Sequence, residues 1–564
     1  MAEMYPVADS TGLLSYPTSK LYETPPEQGD EPGLPSRTSN IVGIEKGVLM
    51  RKWWPLVAVS LGTFMLLVDI TIVNVALPAM AADLKTSYTS LQWVVDIYAL
   101  ALAALLLAAG TVADRVGHRR VYLIGLGLFA LASLASGLSP NSGFLIAARG
   151  LQGIGGAAMF ATTFALLNSS YQGRDRGTAY GIWGAVGGAS AAIGPIVGGL
   201  LTEWLSWRWI FFVNLPVSVI TVALVLTVLQ ADRPEGKRTN LDLPGLLTFG
   251  LSTGGLTYGL IVAGEDGWGS AAAVTWFAIA VISAVVFVVV ERRVAAPMLD
   301  LRLLGNASFS GSLIAGFFLS GAAFAGLVYS SIWLQSVLGM SPIQAGLAGG
   351  LPLSAAAFVV SAAAGQLLHD RNPGLVIGVG LLFIGAGGVV EAIQLHGDAD
   401  WTALLIGLIL VGIGVGAAIP VLSSTAMSAV PLQRGGMAAG AVNTARQLGL
   451  AVGIAVLGSV FASRIGASFA DSGLPSAEKL GHAVAGGQGP IVLNSLPPAQ
   501  RPAFDQALHT ASLSGLSWVM GIAGAAGLVA GIIVLLMIRP TRSASAVAGP
   551  TEHGHSARTE LVES

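Results

Sequence analysis

The sequence predicts an all-α integral membrane protein with fourteen transmembrane helices, arranged as two six-helix bundles with an inserted two-helix hairpin. Hydrophobic residues make up 54% of the chain and charged residues only 10%, against roughly 25% charged in soluble domains. A chain with so few charges cannot cover a surface that faces water. It also carries fourteen apolar segments that are long enough to cross a bilayer, and its Lys and Arg residues alternate sides in step with them.

The apolar segments fall into groups of six, two and six, and this grouping predicts the domain organisation. A disordered tail (1–50) precedes the N-terminal bundle (51–231), which is followed by a linker with the inserted hairpin (232–298). The C-terminal bundle (299–540) has one long outer loop (463–512) and is followed by a second tail (541–564). The predicted spans are 54–78, 89–109, 120–138, 143–168, 178–200, 208–230, 244–264, 272–291, 308–336, 343–368, 374–395, 402–427, 435–462 and 513–538.

The basic residues predict the orientation. If the N-terminus is cytoplasmic, 21 of the 28 Lys and Arg residues lie in inner tails and loops and five lie in outer loops. This asymmetry follows the positive-inside rule and predicts a multi-pass protein of the cytoplasmic membrane with both termini in the cytoplasm. The first 50 residues are polar and have no apolar core of the kind that a secretory signal needs.

Several classes of function are excluded by what the sequence lacks. The net charge is only -2, which gives no indication of a nucleic-acid partner, and the absence of cysteine excludes thiol chemistry and Cys-type zinc sites. No phosphate-binding loop is present, so ATP is not the expected energy source. We therefore expect no cofactor, no bound metal and no enzymatic activity. We interpret the one His-rich stretch, EHGHS (552–556), as part of a solvated tail and not as a metal site.

The first motif is the loop GTVADRVGHRR, residues 110–120. Its glycines permit close helix approach and a tight turn, and its charged residues can pair with one another or with helix ends. The alternative is a generic basic loop that only fixes topology. The residues assigned to this candidate gating loop are Gly110, Asp114, Arg115, Gly117, Arg119 and Arg120.

Two charged residues lie inside predicted spans. Asp69, in LVDITIVNVALP (67–78), lies about 22 Å along the first span, and Arg149, in LIAARGLQGIGGA (145–157), lies inside the fourth. Burial disfavours the charged form of a carboxyl group, whereas a nearby cation favours it. A carboxylate balanced between these influences can take up and release a proton. The alternatives are a structural, hydrogen-bonded aspartate and an arginine that extends to the outer interface.

The third motif is GASAAIGPIVGG, residues 188–199, in the fifth span. Pro195 removes a helical hydrogen bond and favours a bend, while Gly194, Gly198 and Gly199 allow another helix to pack against it. Packing alone is the alternative explanation of this motif.

Together these motifs resemble the fourteen-helix drug:proton antiporter branch of the major facilitator superfamily. The resemblance covers residues 50–540 and includes WRWIFFVNLP (207–216) and VPLQRGGMAAGAVNTARQLGLAVGIAV (430–456). The loop resembles the family pattern Gly-x-x-x-Asp-Arg-x-Gly-Arg-Arg, with His118 in place of one basic residue. Ser190 stands where the antiporter motif usually has glycine, and GQLLHDRNPG (365–374) is a degraded copy of the loop motif.

The resemblance implies a proton-coupled antiporter that exports amphipathic drugs or antibiotics by alternating access, and it implies that Asp69 belongs to the first-span motif of this branch. From the position of the two charges we hypothesise that Asp69 and Arg149 act in proton coupling. The alternative is a dedicated exporter of one product, such as a self-made antibiotic or a lipid. A channel or a membrane-bound enzyme is a weaker alternative, because no ring of like charge, filter loop or catalytic cluster is present. The expected partners are small amphipathic substrates, protons and lipids, and the expected functional unit is the monomer.

Other polar residues at membrane depth are candidates for the substrate cavity. Glu391, near the outer end of the eleventh span, is expected to reach the interface, and Asn214 to add a cavity hydrogen bond. The remaining candidates are Asn74, Asp96, Trp333, Asn443, Arg446 and Gln447.

Overall fold

Helices form all the long elements of the part of the chain that the structure describes. The computed structural model describes residues 37–86, 88–230, 242–294, 297–367, 371–431, 434–472 and 476–538, and no strand occurs among them. Residues 37–50 of the predicted first tail belong to the first helix. The predicted C-terminal tail and most of the linker before the hairpin lie outside the described residues.

The N-terminal bundle contains six helices. The sixth is interrupted at Val213, so that it consists of a short and a long part. The helices are α1 (Arg37–Leu84), α2 (Tyr88–Val116), α3 (His118–Gly137), α4 (Ser142–Ser170), α5 (Gly173–Trp204) and α6 (Trp209–Phe212 with Asn214–Val228).

The hairpin and the C-terminal bundle supply eight further helices. One is interrupted at Phe324, and another contains a π-helical turn. The helices are α7 (Leu243–Asp266), α8 (Ala271–Arg293), α9 (Ala307–Ala323 with Ala325–Ser336), α10 (Pro342–Ala345, the π turn Gly346–Gly350 and Leu351–Leu367), α11 (Pro373–Gln394), α12 (Leu405–Ser428), α13 (Gly435–Asp471) and α14 (Arg501–Met537).

The fourteen helices match the predicted spans in number and order. Thirteen candidate spans are long and apolar enough to cross a membrane among the described residues, and α5 is the remaining helix. This helix has 32 residues, which corresponds to about 48 Å of helix rise, but its sequence is unusually rich in glycine. The predicted all-α architecture of a multi-pass membrane protein is therefore confirmed.

The long outer loop is shorter than predicted. Helix α13 continues to Asp471, and α14 already begins at Arg501, so both ends of the predicted loop are helical. Two short helices, Ala477–Ala485 and Gly489–Ser495, occupy the middle of the loop. The hydropathy pattern missed these extensions because helical turns that project beyond the apolar core need not be apolar.

Glycine allows the backbones of α11 and α14 to touch. A Cβ atom built on Gly388 would lie 2.9 Å from the backbone of Gly524, and one built on Gly524 would lie 2.8 Å from the carbonyl oxygen of Gly385. Small residues of this kind drive helix association in membranes, where burial of apolar surface supplies little energy because lipid is itself apolar.

The inserted hairpin packs against the helices that join the two bundles. At the outer end, Trp268 in the α7–α8 turn donates a 2.6 Å hydrogen bond to Ser459 of α13. At the opposite end, Thr111 of α2 donates to the carbonyl oxygen of Met298, which follows α8, over 3.5 Å. We call the end that carries the α2–α3 turn the inner end, and the distribution of basic residues predicts that it faces the cytoplasm.

Replacement of Gly388 by alanine should destabilise the C-terminal bundle by about 1–3 kcal/mol, because the new methyl group must displace backbone atoms of α14. The same change at Gly127 of α3 is the control, since nothing lies within 4 Å of the position of its Cβ atom. Alanine there should be neutral or slightly stabilising. Thermal unfolding in detergent, followed by the loss of monodisperse protein, measures both effects. Equal melting temperatures for the two variants would contradict this account of the packing.

Candidate functional site

The two charged residues predicted inside the N-terminal bundle form a buried ion pair. Nη1 of Arg149 on α4 contacts Oδ2 of Asp69 on α1, and both side chains are fully shielded from solvent. Nε of Arg149 also donates a 3.0 Å hydrogen bond to the backbone carbonyl of Val94 on α2. The alternative in which Arg149 extends to the outer interface is therefore wrong, because its guanidinium is held between three helices.

Three uncharged side chains complete this network. Gln152 accepts a 2.7 Å hydrogen bond from Arg149 and donates to Oδ1 of Asp69 over 2.9 Å. Asn214 of α6 donates to the same carboxylate oxygen over 3.1 Å. Ser133 of α3 lies 2.8 Å from the Gln152 amide and 3.2 Å from the Asn214 amide. The network thus joins α1, α2, α3, α4 and α6.

Sequence reasoning found only part of this site. Asn214 was identified as a candidate for a cavity hydrogen bond, but Gln152 and Ser133 were missed. Gln152 follows Arg149 by three residues, which places the two side chains on one face of α4. This spacing was an available signal. Ser133 gives no such signal, because an isolated serine in a membrane helix usually bonds to its own backbone.

Aromatic rings cover the ion pair. The ring of Tyr98 lies 4.4 Å from the guanidinium carbon of Arg149, and the ring of Phe211 lies 5.8 Å from it. Both aromatic residues are buried, with at most 1% of their surface exposed. A cation that lacks water gains most from contact with an aromatic face. The rings therefore keep the network dry while they stabilise the charge of Arg149.

Each charge of this pair depends on the other for compensation. A buried pair has lost the hydration of both ions and depends on its geometry, so removing the charge of one partner leaves the other uncompensated. Arg149 already has one buried nitrogen, Nη2, without a hydrogen-bond partner among the described residues. Loss of the Asp69 charge would therefore leave the buried guanidinium of Arg149 uncompensated.

The predicted glycine motif of α5 lies directly beside Asp69. A Cβ atom on Gly198 would lie 2.8 Å from the carbonyl oxygen of Ile72, and Gly194 faces the side chain of Thr71. Helix α5 continues through Pro195 without a break, although the side chain of Pro195 lies outside the described residues. The fourth predicted residue, Gly199, is partly exposed. The motif thus brings α5 against the turn of α1 that follows the ion pair.

The gating loop connects the two bundles at the inner end. Both carboxylate oxygens of Asp114 accept 2.8 Å hydrogen bonds from the backbone, one from Gly436 and one from Met437, at the start of α13. Asp114 therefore caps the N-terminus of a helix in the other bundle, where free N–H groups and the helix dipole favour a negative charge. Gly110 contacts the carbonyl of Gly436, which a larger residue would prevent.

The other loop residues build the turn. Gly117 has a φ angle of +108°, a conformation that side chains rarely adopt, and it joins α2 to α3. Arg119 donates a 2.7 Å hydrogen bond to the carbonyl of Leu226 on α6. His118 lies 3.4 Å from Asp114. Arg115 is partly buried, and Arg120 is exposed.

The predicted cavity residues are spread over helices of both bundles. Asn443 on α13 and Trp333 on α9 are fully buried. Their polar side-chain atoms have no hydrogen-bond partners among the described residues. Arg446 is partly exposed and contacts Gly316 of α9, and its buried Nε atom has no partner there either. The others are Gln447 and Asp96, which are partly exposed, and Asn74, whose side chain lies outside the described residues.

The expectation for Glu391 is wrong. Only 2% of its surface is exposed, and its side chain occupies the space beside Gly407 of α12. Position along the helix placed it near the interface, but the missing side chain of Gly407 creates room for it inside the bundle.

Comparison with known proteins agrees with this architecture. The Major Facilitator Superfamily profile matches residues 59–454, and the chain belongs to this superfamily of transporters. It is 38% identical over 431 residues to a puromycin resistance protein of Streptomyces alboniger, which covers 75% of this chain and 84% of the relative. A multidrug resistance protein of Mycobacterium tuberculosis is 36% identical over 414 residues, 73% of this chain and 76% of the relative.

Two further comparisons span nearly the whole chain. The tetracenomycin C resistance and export protein of Streptomyces glaucescens is 32% identical over 518 residues, 90% of this chain and 95% of the relative. The crystal structure of a human organic anion transporter superposes with a TM-score of 0.55 at 14% identity and covers 86% of this chain and 99% of that chain. The second likeness supports the fold alone.

A double-mutant cycle should show that Asp69 and Arg149 stabilise the bundle as a pair. Arg149→Gln alone should cost roughly 3–5 kcal/mol, because it leaves a buried carboxylate without its cation. Asp69→Asn combined with Arg149→Gln should cost less than the sum of the single changes, since no charge then remains buried. Thermal unfolding of the four proteins in one detergent at one pH gives the coupling. Strictly additive losses would mean that the two groups do not interact.

Proposed function

We propose that this protein is a proton-coupled antiporter that exports small amphipathic drugs or antibiotics across the cytoplasmic membrane. The observation that carries the proposal is the Asp69–Arg149 pair, a carboxylate and a cation held by hydrogen bonds from several helices in a dry site. Ionisable residues at membrane depth are costly, and they commonly mark proton relays in transporters. Several relatives are named for antibiotic resistance, multidrug resistance or export, which supports the substrate class.

The cycle that fits this geometry is alternating access. Asp69 takes up a proton from the outer side after substrate has left, and the weakened pair then allows the bundle to rearrange. Release of that proton to the cytoplasm restores the contact with Arg149 and resets the transporter. Inward movement of protons thereby drives outward movement of substrate, with no nucleotide or other cofactor.

Asp114 closes the inner end in this proposal. Its hydrogen bonds to the start of α13 exist only while α2 and α13 are in contact, so they stabilise the state with a closed cytoplasmic side. Gly181 of α5 likewise touches the backbone of Ser361 on α10, at the inner half of a second contact between the bundles. The close contact of Gly194 and Gly198 with α1 would limit proton leakage beside Asp69.

A dedicated exporter of one product is the second candidate function. It is favoured by the length of the match to the tetracenomycin C resistance and export protein, which includes 95% of that relative. We further propose that both termini are cytoplasmic, that the monomer is the functional unit and that its partners are substrates, protons and lipids.

Transport in inside-out membrane vesicles tests the coupling. Energised vesicles with the natural chain should take up a cationic dye such as ethidium and release protons, whereas vesicles with Asp69→Asn should do neither. Asp83→Asn is the matched control, because Asp83 lies on the same helix but pairs with Arg208 at the outer surface. Hydrogen bonds from Arg208 and Trp207 hold the pKa of Asp83 below its usual range, so this carboxylate is not expected to exchange protons.

Three outcomes separate the candidates. Loss of dye uptake in Asp69→Asn alone, at normal expression, supports proton coupling through Asp69. Equal uptake by both variants and the natural chain would make Asp69 structural. If the natural chain moves no member of a broad dye panel, the dedicated exporter becomes the better proposal.

Removal of the Asp114 carboxylate should open the inner end. The chain has no cysteine, so Met437→Cys introduces a single thiol at a position that is 98% shielded in the closed arrangement. In that background, Asp114→Ala should raise the rate of maleimide labelling about tenfold or more, since charge-assisted hydrogen bonds contribute roughly 1.5–3 kcal/mol. Asp175→Ala, in the first turn of α5, is the control. Unchanged labelling in Asp114→Ala would contradict the proposed role.

A further inference from the structure

Two buried carboxyl groups face each other at the inner end of the inserted hairpin. Asp242 precedes α7, and Glu291 lies in the last turns of α8, and each has only 5% of its surface exposed. A Cβ atom built on Gly245 would lie 2.7 Å from Oε1 of Glu291 and would also contact Oδ2 of Asp242, so these two oxygen atoms meet above Gly245.

The hydrogen bonds of the remaining oxygen atoms fix this orientation. Oδ1 of Asp242 accepts a 2.9 Å bond from the backbone N–H of Gly245 and so caps α7. Oε2 of Glu291 accepts a 3.2 Å bond from the N–H of Leu299. Oδ2 and Oε1 are buried, and neither has a donor among the described residues.

Two ionised carboxylates cannot share such a site. Both facing atoms are acceptors, so the contact is repulsive unless a proton lies between them, and carboxyl pairs in a common site hold one proton more tightly than a single group does. One proton satisfies both orphan oxygens and converts repulsion into a hydrogen bond. Beside the pair is a cavity of about 10 Å³, lined by Asp242, Thr111 and Met298 among others, which is close to the minimum for one water molecule.

We propose that Asp242 and Glu291 together bind one proton, and that this second proton site holds the inner end of the hairpin against the closed gate between α2 and α13. The proposal goes beyond the transport cycle above. It assigns a role to the inserted hairpin, and its first test does not depend on transport by Asp69.

A continuous set of contacts links the pair to the gate. Glu291 holds the N–H of Leu299, and the next residue, Asp300, forms a 2.8 Å ion pair with Arg434. Arg434 directly precedes α13, whose first N–H groups bind Asp114. Burial raises the pKa of Asp300, but hydrogen bonds from the Arg302 amide and the Arg434 side chain outweigh it and hold the pKa below its usual range. Asp300 therefore remains a stable anion for Arg434.

Few other charges among the described residues act on the pair. Helix α2 presents uncharged side chains to the cavity, and Oε1 of Glu291 faces the carboxyl group of Asp242 beside Gly245. The neighbouring arginines of α8 are exposed, while Glu291 points inward. The charged residues on the packed elements nearby are Arg292 and Arg293 on α8, Asp114 and Arg115 on α2, Asp300 and Arg302 in the segment after α8, and Arg434 before α13.

The direction of the pH effect follows from this arrangement. The closed gate holds the proton, so alkaline conditions at the inner end disfavour the closed state. For one linked proton, the ratio of open to closed protein should rise by up to about tenfold for each pH unit. An acidic cytoplasm would instead keep the inner end closed.

Infrared difference spectroscopy of the full chain in liposomes tests the proton site. The natural protein should show the C=O band of a protonated carboxyl group that is lost at alkaline pH. Glu291→Gln and Asp242→Asn should each remove this band, and both changes preserve the local hydrogen bonds because an amide can donate to the remaining carboxylate. Asp505→Asn, an exposed residue of α14, is the control and should retain it. Survival of the band in both variants would overturn the proposal. A natural protein without the band whose carboxylate bands change on addition of sodium or potassium ions would also overturn it, because the pair would then bind a metal cation instead of a proton.

Distance measurements test the connection to the gate. Spin labels at Ile124→Cys and Leu375→Cys mark exposed positions near the inner ends of α3 and α11, one in each bundle. The natural chain should shift from the closed to the open distance as the pH rises, whereas Glu291→Gln should stay closed over the same range. The connection would be overturned if the distance between the labels in the natural chain did not change with pH, or if it changed with pH in the Glu291→Gln variant.

Discussion

The structure depends on one electrostatic constraint: a charge in the interior of a membrane bundle must be compensated there. Asp69 and Arg149 meet this constraint together, because neither side chain reaches water and each removes the cost of burying the other. The hydrogen-bond partners of Asp69 and Arg149 come from several helices. The arrangement of helices in the N-terminal bundle is therefore linked to the charge of the Asp69 carboxyl group. A change of one elementary charge at Asp69 therefore acts on the packing of a whole bundle.

Close contact of backbones is the second feature on which the fold relies. Within the C-terminal bundle, glycines of α11 and α14 bring main-chain atoms together, and between the bundles Gly110, Gly436 and Gly440 do the same for α2 and α13. The first contact joins helices that stay in one unit. The second joins units that must separate if the inner end is to open, and it includes the hydrogen bonds that Asp114 accepts from α13.

The sequence predicts the architecture well and the site in part. The long apolar segments indicate the membrane helices. Asp69 and Arg149 stand out within them because charged residues in such segments are rare. Gln152 stands out only through its spacing from Arg149, and Ser133 does not stand out, since polar residues without charge are common in helices of this kind. Glu391 shows a different failure, because its burial depends on a glycine in another helix that only the packing reveals. The extensions of α13 and α14 were missed because hydropathy identifies only the part of a helix that lies in the membrane, and not its full length.

The bond that closes the inner end has unequal partners. Asp114 contributes a side chain, whereas α13 contributes only the N–H groups of Gly436 and Met437. Almost any residue supplies an N–H group, so the hydrogen bond itself excludes only proline at position 437, while the burial of Met437 limits the size and polarity of the side chain there. Position 436 is restricted for a different reason, because a side chain there would collide with Asp114 and Gly110. Mutational tolerance should therefore be one-sided, with the chemical requirement on α2 and only a steric one on α13.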